Sequence, residues 1–416
     1  MQWVDLGHFG VKRGEDNKGQ TGETENSLRG ELLPLVIAPT SPRESSDDPA
    51  ERSADSTLFF EEGVSRLEEG NVHGAILALE RSLQSDPQNT AAWLELGRAR
   101  NVSGDFRIAV DCLRKALDLE AGLSEAWFEL GNAHQGLGDG EASMTAFREA
   151  LDRDPDMDEA WNNLGNAHSR IGDFEQAIDC YRKAVEVRSD RFEVWFNLGN
   201  AYGVVSRMDE AIEAYQRAVE LSPENSHVWY NLAYAHACRG ELERAIEGYV
   251  RAAELNPDDY EAWYNQGHAY ADLGRHAESV DAYRKALAKR DDDHEAWNNL
   301  GNVLLRLQRR GEAIDCYRRA LQIDAGYDPS WNNLGNALEE QGDLRGAVEA
   351  YGQAIDITPR RPTYLLNRAS VLARTDRVEQ AVDDILRALE IAPEIRGLLP
   401  GFREFDALLH HPKLKR

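Results

Sequence analysis

The sequence predicts an all-α fold: a right-handed α-solenoid of about ten helix–turn–helix units, closed at its C-terminal end by a capping helix. Three observations carry that expectation. Trp93, Trp127, Trp161, Trp195, Trp229, Trp263, Trp297 and Trp331 each follow the last by 34 residues. Self-similarity at one fixed period means that each unit buries its apolar face on its neighbours. Small residues recur at set distances from each tryptophan, where helices must approach closely, and glycine or proline recurs where helices must stop.

The elements follow in order along one unit. Counting from Asp158, tryptophan stands at position 4 (Trp161), Leu164 and Gly165 at 7 and 8, and the bulky His168 at 11. Gly172-Asp173 follow at 15 and 16, then Ala177 at 20, Tyr181 at 24 and Ala184 at 27, with proline at 32 in many units. Two apolar stripes at helical spacing flank the Gly-Asp pair, so each unit reads as helix A, a tight turn and helix B. Gly70, Gly104, Gly138, Gly172, Gly240, Gly274 and Gly342 suit a left-handed residue ending helix A. Pro87, Pro155, Pro223, Pro257, Pro359 and Pro393 stop helix B, since proline cannot continue its hydrogen-bond ladder. The tryptophans read as core, each offering roughly 4–6 kcal/mol of gross burial at about 25 cal/mol per Å².

Two further units lack the tryptophan. One starts near Ser56 with Phe59, Gly63, Ala75, Leu79 and Pro87, and the other near Pro362 with Leu365, Ala369, Leu372, Ala381, Ala388 and Pro393. Ten repeats are thus expected over 56–395. Residues 1–55 carry no periodicity and are rich in Gly, Ser, Glu and Asp, so they are expected to be a disordered tail, with Leu32–Ala38 as its one apolar stretch. Residues 396–416 break the frame. Leu398, Leu399, Phe402, Phe405, Leu408 and Leu409 form an apolar stripe over 396–409, fitting a capping helix for a terminal repeat that has no successor.

Composition narrows the function classes. A net charge of −27 repels nucleic-acid phosphates. No apolar run reaches the roughly 18 residues of a membrane span, and the start shows neither a basic nor an apolar leader region, so a cytoplasmic setting is expected. Cys112, Cys180 and Cys316 share one helix-B position and Cys238 stands alone, with no C-x-x-C pair, so neither zinc nor a disulfide framework is expected. His134, His168 and His236 occupy position 11, where Tyr202 and Tyr270 stand in other units, and read as core residues with a hydrogen-bond partner. No phosphate loop, nucleophile elbow or paired His-carboxylate motif is present, so neither enzymatic activity nor a cofactor is expected.

The frame W-x2-L-G, then A, an aromatic residue, A and P resembles the tetratricopeptide repeat family, over more than four-fifths of the chain. That resemblance implies that positions 2, 5, 6, 9 and 13 of helix A line a concave groove. Position 6 carries Glu61, Glu95 and Glu129, then Asn163, Asn197, Asn231, Asn265, Asn299, Asn333 and Asn367; position 9 adds Asn132, Asn166, Asn200, Asn302 and Asn336. A carboxamide presents donors and an acceptor in one plane and can match a peptide's N–H and C=O together. A row of them can hold an extended chain by its backbone. The other reading is that they bond neighbouring helices. The ladder is similar to that of the superhelical array of O-linked N-acetylglucosamine transferase.

Departures from the ladder set selectivity in this reading. His227, Tyr230, Tyr234, Tyr264 and His268 form an expected aromatic patch. Glu125, Glu159, Glu193, Glu261 and Glu295 at position 2, with the early position-6 glutamates, make the first half of the groove acidic and suit a basic partner, whereas Arg306 and Arg374 bring positive charge later. The basic residues of a carboxylate clamp are missing from positions 2, 5 and 6. The leading expectation is a non-enzymatic scaffold or adaptor for a protein or extended peptide segment. Leu58–Asn71 also resembles the first repeat of the peroxisomal import receptor, which leaves a targeting-signal receptor open. A third possibility is the regulatory partner of a separate glycosyltransferase.

Overall fold

The computed structural model describes residues 49–401, 403–406 and 408–414. Leu32–Ala38 and Phe402 lie outside them. Among the described residues there are twenty α-helices, four short 3-10 turns and no strand. They fall into two compact units that divide between Pro223 and Glu224.

The first unit holds five hairpins: α1 (Pro49–Glu68) with α2 (Val72–Ser85), α3 (Thr90–Ser103) with α4 (Phe106–Leu119), and α5 (Ser124–Gly136) with α6 (Gly140–Arg153). It continues with α7 (Asp158–Arg170) and α8 (Phe174–Val187), then α9 (Phe192–Val204) and α10 (Met208–Leu221). The second unit repeats the plan with α11 (Ser226–Cys238) and α12 (Leu242–Leu255), α13 (Tyr260–Asp272) and α14 (His276–Lys289), and α15 (His294–Arg306) and α16 (Arg310–Ile323). It ends with α17 (Asp328–Gln341), α18 (Leu344–Ile357), α19 (Pro362–Arg374) and α20 (Val378–Ile391). Within each unit every hairpin packs on the next. This is the solenoid of helical hairpins that the 34-residue period requires.

The turns explain the register. All seven expected glycines have φ between 74° and 92°. Ser206, Gln308 and Asp376 hold the same repeat position with φ of 63°, 59° and 58°, so the hairpin imposes the left-handed conformation even where the residue resists it. Asn71, Asp139, Asp173 and Asp343 cap the following helix B, each accepting a backbone N–H three residues on. The position-8 glycines admit the ring of their own helix B. A Cβ on Gly165 would stand 2.6 Å from Tyr181, and one on Gly335 2.5 Å from Tyr351. The α11–α12 hairpin reverses the pair: Ala233 fills position 8, and Gly248 on the facing helix clears the space, since a Cβ there would meet that of Ala233 at 2.8 Å.

Three expectations are corrected here. Helix α1 begins at Pro49 rather than at Ser56. Only Trp93 is buried; the other seven repeat tryptophans are half-buried, so the gross figure above overstates them. Their second contribution is polar. The indole N–H of Trp161 donates to the carbonyl of Pro155 at 2.8 Å, and those of Trp93, Trp195, Trp297 and Trp331 donate to the residue six places earlier at 2.9 Å. Each ring therefore pins the loop that enters its own hairpin. Finally, the cap is not one helix but four 3-10 turns, Pro393–Gly397, Leu399–Gly401, Arg403–Phe405 and Leu408–His410. Gly397, Pro400 and Gly401 interrupt any longer helix. Leu399, Phe405, Leu408 and Leu414 still cover the last hairpin, whereas Leu398 is exposed.

Candidate peptide-binding face

Residues three or four apart share a helix face, which places positions 2, 5, 6, 9 and 13 of each A helix together. In the first unit Asn163 Nδ2 donates to Asn132 Oδ1 at 3.0 Å, and Asn197 Nδ2 lies 3.3 Å from both Asn166 Oδ1 and Asn162 Oδ1. The position-9 oxygens also accept from the hydroxyl at position 24 of their own hairpin: Tyr181 on Asn166 at 2.7 Å and Tyr215 on Asn200 at 2.8 Å. The second unit repeats the relay, with Asn333 donating to Asn302 at 3.0 Å and Asn298 at 3.1 Å, Asn367 to Asn332 at 2.9 Å, and Tyr317 to Asn302 at 2.8 Å. A chain of tyrosine hydroxyl, position-9 amide and next position-6 amide thus joins successive hairpins inside each unit. Sequence reasoning missed the tyrosines. Their signal was the pairing of Tyr at 24 with Asn at 9, as in Tyr181/Asn166, Tyr317/Asn302 and Tyr351/Asn336.

The relay divides the ladder into open and closed parts. Asn265, Asn299, Asn333 and Asn367 retain only 1%, 8%, 4% and 4% exposure. These four amides turn in among the helices instead of lining an open groove, because a buried amide needs a partner and the neighbouring hairpin supplies it. Asn163, Asn166, Asn197 and Asn200 in the first unit remain partly exposed, as does Asn231, which donates to the His227 carbonyl at 2.8 Å.

The expected aromatic patch is also corrected. Tyr230, Tyr264 and His268 are buried, leaving His227 exposed and Tyr234 partly so. Position 5 packs against the ring at position 24: Tyr230 lies 5.7 Å from Tyr249 and Tyr264 lies 5.6 Å from Tyr283. Their hydroxyls accept from Asn265 at 2.8 Å and Asn299 at 3.0 Å. Burial pushes the Tyr264 hydroxyl well above its ordinary pKa, and His268 Nδ1 stands 3.2 Å from Asp272.

The acidic half is partly neutralised from within. Arg98 at position 9 meets Glu95 at 2.8 Å, Glu129 at 3.2 Å and Glu125 at 3.4 Å. Burial still raises the Glu95 carboxyl, with Glu125 and Glu129 adding to the rise against Arg98. Arg191 bridges Asp158 and Glu159. Later, Arg374 pairs with Glu339, while Arg306 is exposed. His168 and His236 are buried beside Asp173 and Glu241, at 3.5 and 2.8 Å, and the half-buried His134 lies 3.7 Å from Asp139. Burial lowers the His134 pKa and raises those of Cys112, Cys180 and Cys316 to about 12, 11 and 12. Among the described residues no group of three or more His, Cys, Asp or Glu could hold a metal, and no helix is long and apolar enough to cross a membrane.

The hairpin geometry and the family comparisons agree on the class of protein. Residues 158–191 match the tetratricopeptide repeat model, 60–105 and 102–158 match a second model of that repeat, and 188–396 match the model of the cilia and flagella-associated protein 70 C-terminal domain, which alone spans half the chain. The chain belongs to the tetratricopeptide repeat family. Such repeats are in general non-catalytic protein-interaction modules. No curated protein matches the sequence. Among solved structures, MamA is 29% identical, over 39% of this chain and 95% of that one, with a TM-score of 0.38. YrrB, described as a tetratricopeptide repeat protein with an unusual peptide-binding site, is 25% identical over 44% and 94%, with a TM-score of 0.40. PilF of Pseudomonas aeruginosa is 17% identical over 52% and 99%, with a TM-score of 0.47.

Proposed function

We propose that this chain is a non-enzymatic scaffold that holds an extended segment of a partner protein along the A-helix face through its asparagines. The partly exposed row Asn163, Asn166, Asn197 and Asn200 carries the reading. Asn163 and Asn197 each spend amide N–H on the preceding hairpin, and a carboxamide has a second N–H and a further acceptor lone pair to offer. The relay also fixes the planes of these amides before any partner arrives, which lowers the entropy that binding must overcome. Glu125, Glu159 and Glu193 are exposed along the same helices and favour a basic segment in the first half.

A peptide library read by fluorescence anisotropy tests this. Asn163→Ala/Asn197→Ala removes two backbone contacts worth about 1 kcal/mol each, so affinity for selected peptides falls roughly tenfold or more. Circular dichroism and melting of the variant separate that loss from unfolding. Unchanged affinity in a folded double variant overturns the role given to the asparagines.

A further inference from the structure

Position 5 of the first unit alternates in a way the asparagines do not explain. Phe60, Phe128 and Phe196 stand 68 residues apart, on α1, α5 and α9, and all three are partly exposed. Leu94 and Asn162 on the intervening α3 and α7 are buried. In the second unit, Tyr230, Tyr264, Asn298, Asn332 and Leu366 at this position are all buried. At position 5, open aromatic surface therefore occurs at every second hairpin of the first unit and at none of the second.

Two of the open rings have a carboxylate one helical turn away: Glu125 before Phe128 and Glu193 before Phe196, both exposed. The rings are held from behind: Phe128 lies 5.9 Å from Phe147, and Phe196 lies 6.0 Å from Tyr215. Rings already packed against their own hairpin lose little rotamer freedom on binding. Arg98 shows how this surface treats a cation, since its guanidinium is shared by Glu95, Glu125 and Glu129.

Resting on the scaffold reading above, we infer that the first unit reads an extended segment in which a large apolar residue adjoins Lys or Arg, the pair recurring at a set interval. In the first unit the A helices α1 and α3, α3 and α5, and α7 and α9 touch. Packed helices lie about 8–10 Å apart, so alternate hairpins are roughly 16–20 Å apart, or about five to six residues of extended chain. The partner thus offers an apolar–basic pair at every fifth or sixth residue. The amides of Asn163 and Asn197 hold the backbone, Phe60, Phe128 and Phe196 take the apolar side chains, and Glu125 and Glu193 take the basic ones. This defines sequence preference, which amides reading a backbone do not provide.

The test uses the full chain and synthetic peptides in fluorescence anisotropy. The probe carries Leu-Lys at positions 3, 8 and 13 in a Ser/Ala background. Companions carry the pair at every third residue, or Leu-Glu in place of Leu-Lys. The expected result is binding of the probe, at least tenfold weaker binding of both companions, and at least fivefold weaker probe binding by Glu125→Gln/Glu193→Gln. Those exposed substitutions leave the packing of the rings intact, and far-ultraviolet circular dichroism checks the fold. Binding that ignores spacing and charge, or is unmoved by the double substitution, overturns the motif while the scaffold reading stands. If neither these peptides nor a random library binds, both fail.

Discussion

At the residue scale, one turn position makes the same demand in every hairpin. The turn residue before each helix B is left-handed in all ten hairpins, yet Ser206, Gln308 and Asp376 lack glycine's freedom there. A non-glycine residue in that region costs about 1–2 kcal/mol, so Ser206→Gly is expected to raise stability by about 0.5–1 kcal/mol, as a shift in urea midpoint without a change in slope. Gly165→Ala runs the other way. The new methyl meets Tyr181 at 2.6 Å, and Tyr181 is tied to Asn166 and cannot retreat freely, so a loss of about 1–3 kcal/mol is expected. The seven turn glycines and the position-8 glycines were legible because glycine announces such sites. Ser206 and Gln308 were not, since only the hairpin geometry imposes their conformation.

Elements are joined by the polar contacts between them. Glu339 on α17 accepts from Tyr351 on α18 at 3.1 Å and pairs with Arg374 on α19. Burial raises its carboxyl pKa above 4.5, with Glu404 and Glu340 adding to the rise against Tyr351 and Arg374. A carboxyl raised in the folded state binds more protons there than when unfolded, so its contribution to stability is present at low pH. That contribution is lost as pH rises from about 4.5 through the raised value. Glu339→Gln cannot titrate, so the stability of the wild type relative to this variant is expected to decline across that window in urea titrations. A difference that stays flat, or grows with pH, contradicts the assignment. Helix boundaries and the hairpin plan were readable from the 34-residue period. The cap was readable only as an apolar stripe, because Gly397, Pro400 and Gly401 decide its conformation locally. The burial of Asn265, Asn299, Asn333 and Asn367 was hidden, since a row of asparagines looks the same whether it serves a ligand or the next hairpin.

The whole molecule carries one repeat in two units that use their A-helix faces differently. The break between Pro223 and Glu224 falls at an ordinary repeat boundary, and nothing in the regular period marks it. The units differ in their side chains. The second buries every position-5 side chain and the amides of Asn265, Asn299, Asn333 and Asn367, whereas the first leaves Phe60, Phe128, Phe196 and four asparagines partly open. A crystal structure of the chain with a library-selected peptide shows whether the asparagine row holds a backbone. The expected result is an extended peptide crossing α5, α7 and α9, with its backbone N–H and C=O groups bonded to Asn163, Asn166, Asn197 and Asn200. A peptide bound elsewhere, with those amides bonded only to one another, would contradict it.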